Sequence, residues 1–322
     1  MKVLANDGIS QSGIDKLAAN GITVITEKVE QENLIDAVNN ENYIGVLVRS
    51  ATTVRKEVID ACPNLKFVGR GGVGMDNIDV DYARSKGVKV FNTPAASSQS
   101  VAEMVMAHMF SATRSLFDSN RQMPSNGHSD FKKLKKKYAK GIELRGKTLG
   151  IIGFGRIGKA LASYALGCGM KVIAFDKHQN TDPIALEIPG HGKIDVQVPF
   201  VSFDELITDS DVISIHVPKQ EDGSAVITKA ELDKMKSTAI VINAARGGVV
   251  NEKDLISSLE NGSIRYAALD VFDNEPSPAQ EILSCEGISL SPHVGAATVE
   301  AQSRIGVELA DQILEAVRKI TA

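Results

Sequence analysis

Cysteine, long apolar runs and excess charge are all scarce in this sequence of 322 residues. The 3 cysteines (Cys62, Cys168 and Cys285) are odd in number and far apart, which predicts reduced thiols and no zinc site built on a CxxC pair. No apolar run approaches the ~18 residues that a membrane-spanning helix needs. The first residues also turn polar too early for a signal peptide. We therefore expect a cytoplasmic protein with no membrane partner and no metal.

The charge balance argues against nucleic acid as a partner. With 36 Lys and Arg against 40 Asp and Glu, the formal net charge is −4, whereas general binding to nucleic acid calls for a basic surface. Apolar residues make up 43% of the chain and charged residues 24%, which is ordinary for a globular protein and excludes disorder as the dominant state. The length predicts about two domains.

Short apolar runs alternate with amphipathic segments, a pattern that predicts βαβ units, parallel sheets and an α/β fold. A first series ends near residue 100, with predicted strands at Lys2–Ala5, Thr23–Ile25, Gly45–Val48, 67–69 and 89–91. A second series opens at Gly146, with predicted strands at Thr148–Ile152, Lys171–Phe175, 212–216, 239–243, Tyr266–Leu269 and Ile288–Leu290.

A long helix is predicted between the two series, over residues 101–121. Ser100 with Glu103 three residues later fits a capping box at its start. The polar, lysine-rich stretch 124–141 then predicts an exposed arm, in which 131–137 forms a solvated helix face. A final helix is expected over 300–320, and it must pack on an earlier part of the chain.

The most informative segment is a glycine-rich loop after the first strand of the second series. Gly153, Gly155 and Gly158 form a GxGxxG pattern between a strand and a helix, the context that dinucleotide binding requires. The first glycine permits the turn, the second lets a pyrophosphate approach, and the third lets the helix pack closely. Asp176 ends the next strand, near the spacing of about 20 residues expected for a carboxylate that binds the ribose hydroxyls. A carboxylate there favours NAD over NADP.

Three further motifs follow predicted strands and so lie at the same edge of the sheet, where ligands bind in open α/β folds. They contain Arg246, Asp270 with Glu275, and His293. A histidine suits removal of a hydroxyl proton, and a carboxylate beside it fixes its tautomer and favours the imidazolium. An arginine can bind a carboxylate with two hydrogen bonds. His216 also ends a strand, whereas His108, His128, His178 and His191 receive no role.

With these motifs, nearly the whole chain resembles the D-isomer-specific 2-hydroxyacid dehydrogenase family. The resemblance implies that Arg246, Glu275 and His293 are the catalytic residues and that NAD is the cofactor. The implied cofactor-binding residues are Gly153, Gly155, Arg156, Ile157, Gly158, Asp176, His216, Val217, Pro218, Ala244, Ala245, Arg246, Asp270, His293, Gly295 and Ala296. Val217 departs from the threonine usual at its position.

The resemblance also implies the domain organisation. We expect an NAD-binding Rossmann domain over 101–293 and a discontinuous, flavodoxin-like substrate domain over 1–100 with 294–322, each a doubly wound parallel sheet. The family implies a homodimer formed through the NAD-binding domain and the arm at 120–145, with Lys136 near a basic position that reaches the partner. Longer relatives carry further regulatory domains that bind serine. Because this sequence ends near Ala322, we expect no serine feedback of that kind.

The substrate-binding residues implied for the first domain are Arg49, Ser50, Arg70, Gly72, Val73 and Gly74. Two arginines at strand ends suit a doubly charged phosphate, and the backbone N–H groups of Gly71 to Gly74 would meet the carboxylate. The chain thus most resembles family members that oxidise 3-phospho-D-glycerate to 3-phosphohydroxypyruvate, the first step of serine biosynthesis.

Two alternatives stay open at this point. The first is a reductase of hydroxypyruvate or glyoxylate, or another D-2-hydroxyacid dehydrogenase, for which Arg49 and Arg70 would be structural. The second is a binding protein that senses NAD, like the transcriptional co-repressors that resemble this family and that keep the same arginine, acid and histidine.

Overall fold

The computed structural model describes residues 1–178 and 183–321. The chain divides into two compact units, the first formed by residues 1–100 with the segment from 296 onward, and the second by residues 101–295. The boundaries expected from the sequence were after residues 100 and 293. The assignment of the two units to substrate and to NAD stays a prediction.

The first unit is built on a five-stranded parallel sheet. Its strands are β1 (Lys2–Ala5), β2 (Thr23–Ile25), β3 (Gly45–Val48), β4 (Phe67–Arg70) and β5 (Lys89–Asn92). Their order across the sheet is β2-β1-β3-β4-β5, the flavodoxin-like order. β3 is buried at every position, as expected for a central parallel strand covered by helices on both faces. The flavodoxin-like prediction is confirmed.

Helices cover both faces of this sheet. They are α1 (Gln11–Ala18), α2 (Leu34–Asn40), α3 (Lys56–Ala61), α4 (Val80–Ser85) and the C-terminal α13 (Val299–Thr321). α13 packs against α1 where Gly13 meets Gly306, since a β-carbon at position 13 would lie 2.6 Å from the Gly306 carbonyl oxygen. The final helix predicted from the sequence is therefore confirmed, and the first unit supplies its packing partner.

The second unit is built on a six-stranded parallel sheet. Its strands are β6 (Thr148–Ile152), β7 (Lys171–Phe175), β10 (Val212–Ile215), β11 (Ile240–Asn243), β12 (Tyr266–Leu269) and β13 (Ile288–Leu290). Their order is β13-β12-β11-β10-β6-β7. Phe200 forms a parallel bridge to Ala174 of the edge strand β7, at the place where the Rossmann order has a further strand. The Rossmann prediction is confirmed.

The helices of the second unit are α5 (Ser98–Arg114, which begins just before the boundary), α6 (Leu116–Asn126), α7 (Phe131–Lys137), α8 (Arg156–Gly167), α9 (Phe203–Asp209), α10 (Lys229–Leu232), α11 (Glu252–Glu260) and α12 (Gln280–Ser284). The single helix expected over 101–121 is wrong, because Ser115 adopts a left-handed conformation with φ of 52° and separates α5 from α6. The capping box is also wrong. Ser100 lies inside α5, and Glu103 instead accepts a hydrogen bond from the Tyr164 hydroxyl at 2.7 Å.

The arm and one hairpin complete the second unit. In α7, Leu134 is buried while the lysines around it are exposed, so the solvated helix face predicted for 131–137 is confirmed. Between β7 and β10, an antiparallel hairpin pairs β8 (Ile184–Ile188) with β9 (Gly192–Val196), and it was not predicted. Among the helices of the described ranges, none combines the length and apolarity that crossing a membrane would take.

Candidate active site

The predicted functional residues of the second unit cluster at the carboxyl ends of its parallel strands. β6 leads into Gly153, β10 into His216, β11 into Ala244, and β13 into the segment that carries His293. β6 lies between β7 and β10. The strand order therefore proceeds from β6 to one edge of the sheet through β7, and to the other edge through β10 and the later strands. In open α/β sheets this switch point, outside the strand ends, is where ligands bind.

The glycine-rich loop fits a dinucleotide. Gly153 has φ of +92°, and a β-carbon there would lie 2.6 Å from the His216 carbonyl oxygen; at Gly158 it would lie 2.5 Å from the Gly153 carbonyl oxygen. At Gly155, by contrast, a β-carbon would meet no atom within 4 Å among the described residues. Of the three glycines of this loop, Gly155 is therefore the one that faces space that a phosphate can enter.

The start of α8 presents donors to that space. Gly155 is the N-cap residue, and in the described chain no side chain caps the helix. The N–H groups of Arg156 and Ile157 point along the helix axis toward the loop, and the positive end of the helix dipole adds to their attraction for an anion. Pyrophosphate binding by these two residues stays a prediction.

Asp176 follows β7 and braces the same loop. Its Oδ2 accepts a hydrogen bond from the Phe154 N–H at 2.7 Å, and its Oδ1 accepts one from the His178 N–H at 2.8 Å. A carboxylate oxygen has two lone pairs, so Asp176 keeps acceptor capacity for ribose hydroxyls. Asp176 lies beside the glycine-rich loop, and its binding of the ribose stays a prediction.

His216 contributes a neutral ring beside the loop. Its Nε2 atom lies 2.9 Å from the Ser214 hydroxyl, and its buried Nδ1 atom has no hydrogen-bond partner among the described residues. Burial lowers the pKa of His216 to about 4. The next residue, Val217, faces Gly153, since a β-carbon at 153 would lie 2.8 Å from Val217 Cγ1. Pro218 follows and is exposed.

The loop after β11 that carries Arg246 is held by a buried amide. Asn243 donates from Nδ2 to the Arg246 carbonyl oxygen at 2.9 Å, and its Oδ1 accepts from the Ala245 N–H at 3.0 Å. The Arg246 guanidinium donates from Nη1 to the Ala245 carbonyl oxygen at 2.6 Å. Asn243 thus shapes the loop of Ala244, Ala245 and Arg246, although it was not singled out from the sequence.

His293 and Glu275 form a direct pair. The Nδ1 atom of His293 lies 2.7 Å from Oε2 of Glu275, with 39% and 33% of the two side chains exposed. The other carboxylate oxygen, Oε1, accepts a hydrogen bond from the Phe272 N–H at 2.9 Å and fixes the orientation of Glu275. Because a carboxylate only accepts, the Nδ1 proton is shared with Glu275 and Nε2 is left as the basic nitrogen.

Asp270 holds the segment that carries His293. This carboxylate is 2% exposed. It accepts hydrogen bonds from the Ser291 hydroxyl at 2.6 Å, the Val294 N–H at 2.9 Å and the Gly295 N–H at 2.8 Å. Asp270 thus binds Ser291 before His293, and Val294 and Gly295 after it. Cofactor binding by Asp270, His293 and Gly295 stays a prediction.

The residues expected to bind substrate lie in the first unit. Ala296, which was expected to bind the cofactor, belongs to the same unit. Arg49 follows β3, Arg70 ends the neighbouring β4, and Val48 pairs with Arg70. A β-carbon at Gly71 would lie 3.5 Å from Arg49 Cγ, and one at Gly72 would lie 1.8 Å from Arg70 Nη1. Both arginine side chains therefore run along the same glycine turn.

The rest of that turn is tied to its own unit. The N–H groups of Gly71 and Gly72 donate to the Val48 and Arg70 carbonyl oxygens, so two of the four expected backbone donors already have partners within the first unit. Val73 is 38% exposed, and Ser50 is exposed as well. Substrate binding by Ser50, Gly72, Val73 and Gly74 stays a prediction. The Ala296 carbonyl oxygen accepts a hydrogen bond from Gln302 within the first unit.

One polar residue near the site received no role from the sequence. His108 lies in α5 and is 6% exposed, with both ring nitrogens near serine hydroxyls of the segment 289–291. A histidine among the buried apolar positions of a helix is a signal that could have identified it. Elsewhere, within residues 1–178 and 183–321, His, Cys, Asp and Glu side chains form no group suited to hold a metal ion.

Comparisons with known proteins identify the family of the chain. Residues 106–295 match the family model described as "D-isomer specific 2-hydroxyacid dehydrogenase, NAD binding domain". A protein named hydroxypyruvate reductase from Thermotoga maritima is 39% identical over 98% of this chain and 97% of its own length. A D-3-phosphoglycerate dehydrogenase from Archaeoglobus fulgidus is 38% identical over 98% of this chain, which spans only 57% of that relative. Among solved structures, a glyoxylate reductase from Paecilomyes thermophila superposes with a TM-score of 0.83 at 27% identity, covering 99% of this chain and 96% of its own.

Proposed function

The chain belongs to the D-isomer specific 2-hydroxyacid dehydrogenase family, and on that premise we propose that it oxidises a phosphorylated D-2-hydroxy acid, 3-phospho-D-glycerate, with NAD. The observation that carries the proposal is the His293–Glu275 pair, placed at the carboxyl edge of the sheet that bears the dinucleotide loop. NAD, when bound, accepts the hydride from C2 of the acid. Every other part of the reaction falls to the side chains of this protein.

His293 removes the proton in this scheme. As C2 loses a hydride its hydroxyl must lose a proton, and Nε2 of His293 is the free basic nitrogen of the pair. Glu275 holds the ring in the correct tautomer through Nδ1 and stabilises the imidazolium that forms. In the reverse direction the imidazolium returns the proton to the carbonyl oxygen. The arrangement therefore serves oxidation and reduction alike.

Arg246 is assigned to the substrate carboxylate. Its loop is fixed by the buried Asn243 amide and by Gly247, so the guanidinium starts from a defined backbone. A guanidinium can bind a carboxylate through two parallel hydrogen bonds, which fixes the orientation of C2 as well as adding affinity. Oriented binding of this kind lowers the barrier to hydride transfer.

The phosphate is assigned to Arg49 and Arg70. The two guanidinium side chains lie along one glycine turn at the ends of adjacent strands. A dianionic phosphate needs more than one charge-assisted partner, whereas a hydroxymethyl group needs neither. The relatives named hydroxypyruvate reductase and glyoxylate reductase support the alternative of an unphosphorylated acid.

NAD is preferred over NADP in the proposal because of Asp176. Its carboxylate lies beside the loop that receives the pyrophosphate, and a negative charge there attracts ribose hydroxyls but repels a 2′-phosphate. We assign the reaction to the oxidation of phosphoglycerate in serine biosynthesis, in the cytoplasm.

A second copy of the chain is the partner we assign to the arm. Four large apolar side chains are exposed on α5, α6 and α7: Phe110 (45%), Leu116 (48%), Met123 (42%) and Phe131 (55%). Large apolar side chains exposed on consecutive helices are typical of a homodimer interface. In sedimentation velocity, we expect the wild type to be a dimer and L116D with F131D to shift it toward the monomer.

The proposal is tested by steady-state kinetics of the wild-type protein with NAD at alkaline pH, where release of the proton favours oxidation. The acids compared are 3-phospho-D-glycerate, D-glycerate and D-lactate. We expect kcat/KM for the phosphorylated acid to exceed the others by at least about a hundredfold, in line with two charge-assisted contacts. Turnover confined to unphosphorylated acids would support the reductase alternative, and no turnover of any acid would support an NAD-binding protein.

A further inference from the structure

His108 is a buried histidine with two serine partners. Its Nδ1 lies 2.9 Å from the Ser289 hydroxyl and its Nε2 lies 2.8 Å from the Ser291 hydroxyl. Burial lowers the pKa of His108, and the negative charge of Asp270 offsets part of that effect. A neutral imidazole has one donor nitrogen and one acceptor nitrogen, so the two serine contacts must run in opposite directions.

The direction follows from Asp270. The Ser291 hydroxyl lies 2.6 Å from Asp270 Oδ1, and three donors of the protein converge on this carboxylate, which can only accept. Ser291 therefore gives its single proton to Asp270. It can then only accept from His108, which makes Nε2 the protonated nitrogen and Nδ1 the acceptor from Ser289. The result is a one-way chain from Ser289 through His108 and Ser291 to Asp270.

The hydrogen bonds at the Asp270 end of this series hold the backbone on both sides of His293. Ser291 precedes His293 by two residues, and Val294, which donates to the same Asp270 oxygen, follows it directly. His293 has φ of +53°, a left-handed conformation that residues other than glycine adopt only where the surroundings hold them. Its own N–H donates to the Ser291 carbonyl oxygen at 3.1 Å. The orientation of Ser291 therefore bears directly on the backbone of the base.

We propose that His108 is a positioning residue for His293: by donating from Nε2 it directs the Ser291 hydroxyl onto Asp270, and the tightened turn aims the His293 ring at Glu275. His108 touches neither substrate nor cofactor in this account. The expected effect of His108 on kcat rests on the function proposed above, whereas the direction of the hydrogen bond from His108 to Ser291 does not.

Two substitutions separate positioning from packing. H108L keeps an apolar side chain in the core but removes both hydrogen bonds, while the amide nitrogen of H108Q can still donate to Ser291. We expect H108L to lower kcat about tenfold or more with little change in KM for NAD, because a small misplacement of a catalytic group is costly. H108Q should recover most of that loss. The exposed His191, in the turn between β8 and β9, provides the matched control, and H191L should equal the wild type.

Equal kcat in wild type and H108L would overturn the proposal. So would an H108Q variant as impaired as H108L, since the donor would then not matter. A wild type that turns over no acid contradicts the proposed function instead, and the hydrogen-bond direction is then decided by spectroscopy.

That second readout is NMR of the wild-type protein with ¹⁵N-labelled histidine. We expect the buried His108 ring, assigned by its loss in H108L, to be the Nε2–H tautomer. In H108L the His293 ring signals should shift, and in H191L they should not. A protonated Nδ1 in His108, or His293 signals indifferent to H108L, would refute the inference whatever the enzyme does.

Discussion

Gly247 passes so close to Phe272 that a β-carbon at position 247 would lie 1.7 Å from the Phe272 carbonyl oxygen. The contact joins two loops of the site, since Arg246 precedes Gly247 and the Phe272 N–H binds Glu275. The position of the arginine is thus coupled to that of the carboxylate that orients His293. Neither backbone can move aside alone without disturbing the other.

The substitution G247A tests this coupling. We expect it to lower the free energy of unfolding by about 3 kcal/mol, at the upper end of what overpacking costs, and to reduce kcat as the two loops separate. G167A is the matched control, because a β-carbon there meets no atom within 4 Å in the described chain and alanine favours the helix. Urea denaturation of both variants decides the matter, and equal stability of G247A and G167A would contradict the close approach.

The phosphate assignment predicts a substrate-dependent effect of R49A. Loss of a charge-assisted contact to phosphate costs about 1.5–3 kcal/mol, so kcat/KM for 3-phospho-D-glycerate should fall by at least about tenfold. The value for D-glycerate should hardly change. R84A removes an exposed arginine of the same unit and should alter neither. Equal losses on both acids in R49A would assign Arg49 to structure.

Asp176 predicts the cofactor preference. D176N keeps an oxygen that can accept from the Phe154 N–H but removes the charge. Because a hydrogen bond to a charged acceptor contributes about 1.5–3 kcal/mol, KM for NAD should rise by about tenfold or more, and NADP should gain relative to NAD. An unchanged ratio of the two cofactors in D176N would show that another residue discriminates between them.

The pKa of His216 predicts how stability responds to acid. The unfolded chain takes up a proton near the ordinary histidine pKa of 6.5, while the folded ring resists it until the pH is near 4. Between these values the unfolded state binds more protons, so the free energy of unfolding rises with pH and is lost on acidification. A fully shifted group changes it by about 1.4 kcal/mol per pH unit at most.

The variant H216Q isolates that contribution. Urea denaturation at pH 7 and pH 5 should show a larger loss of stability for the wild type than for H216Q, since all other titrating groups are shared. Identical losses would mean that the His216 ring is charged as easily in the folded protein as in the unfolded chain.

Much of the fold could be predicted because buried parallel strands are continuous apolar runs. β3 and β11 are buried at every position. The bounds predicted for them from apolar runs agree with the observed bounds to within one residue. The hairpin of β8 and β9 escaped prediction because most of its residues are exposed, so the pattern there carries little signal. The break at Ser115 escaped because a single left-handed serine leaves the helical period on both sides intact.

The sequence predicted which residues belong to the site, but not the hydrogen bonds that join its loops. His293, Glu275 and Arg246 each follow a strand, and topology alone puts strand ends on one edge. The cofactor-binding role expected for Asp270 stays a prediction, and its hydrogen bonds with Ser291, Val294 and Gly295 were not expected. Such bonds depend on the exact course of two loops, which residue types and spacing do not determine.

The most direct test of the central claim is the rate of NADH formation by wild type and H293Q, each with the best acid of the substrate panel. NAD affinity is measured in parallel by titration. Because a general base contributes about 10²–10⁴-fold to rate, we expect H293Q to lose at least about a hundredfold in kcat while NAD binds as before. Turnover by H293Q near the wild-type rate would contradict the assignment of His293 as the base.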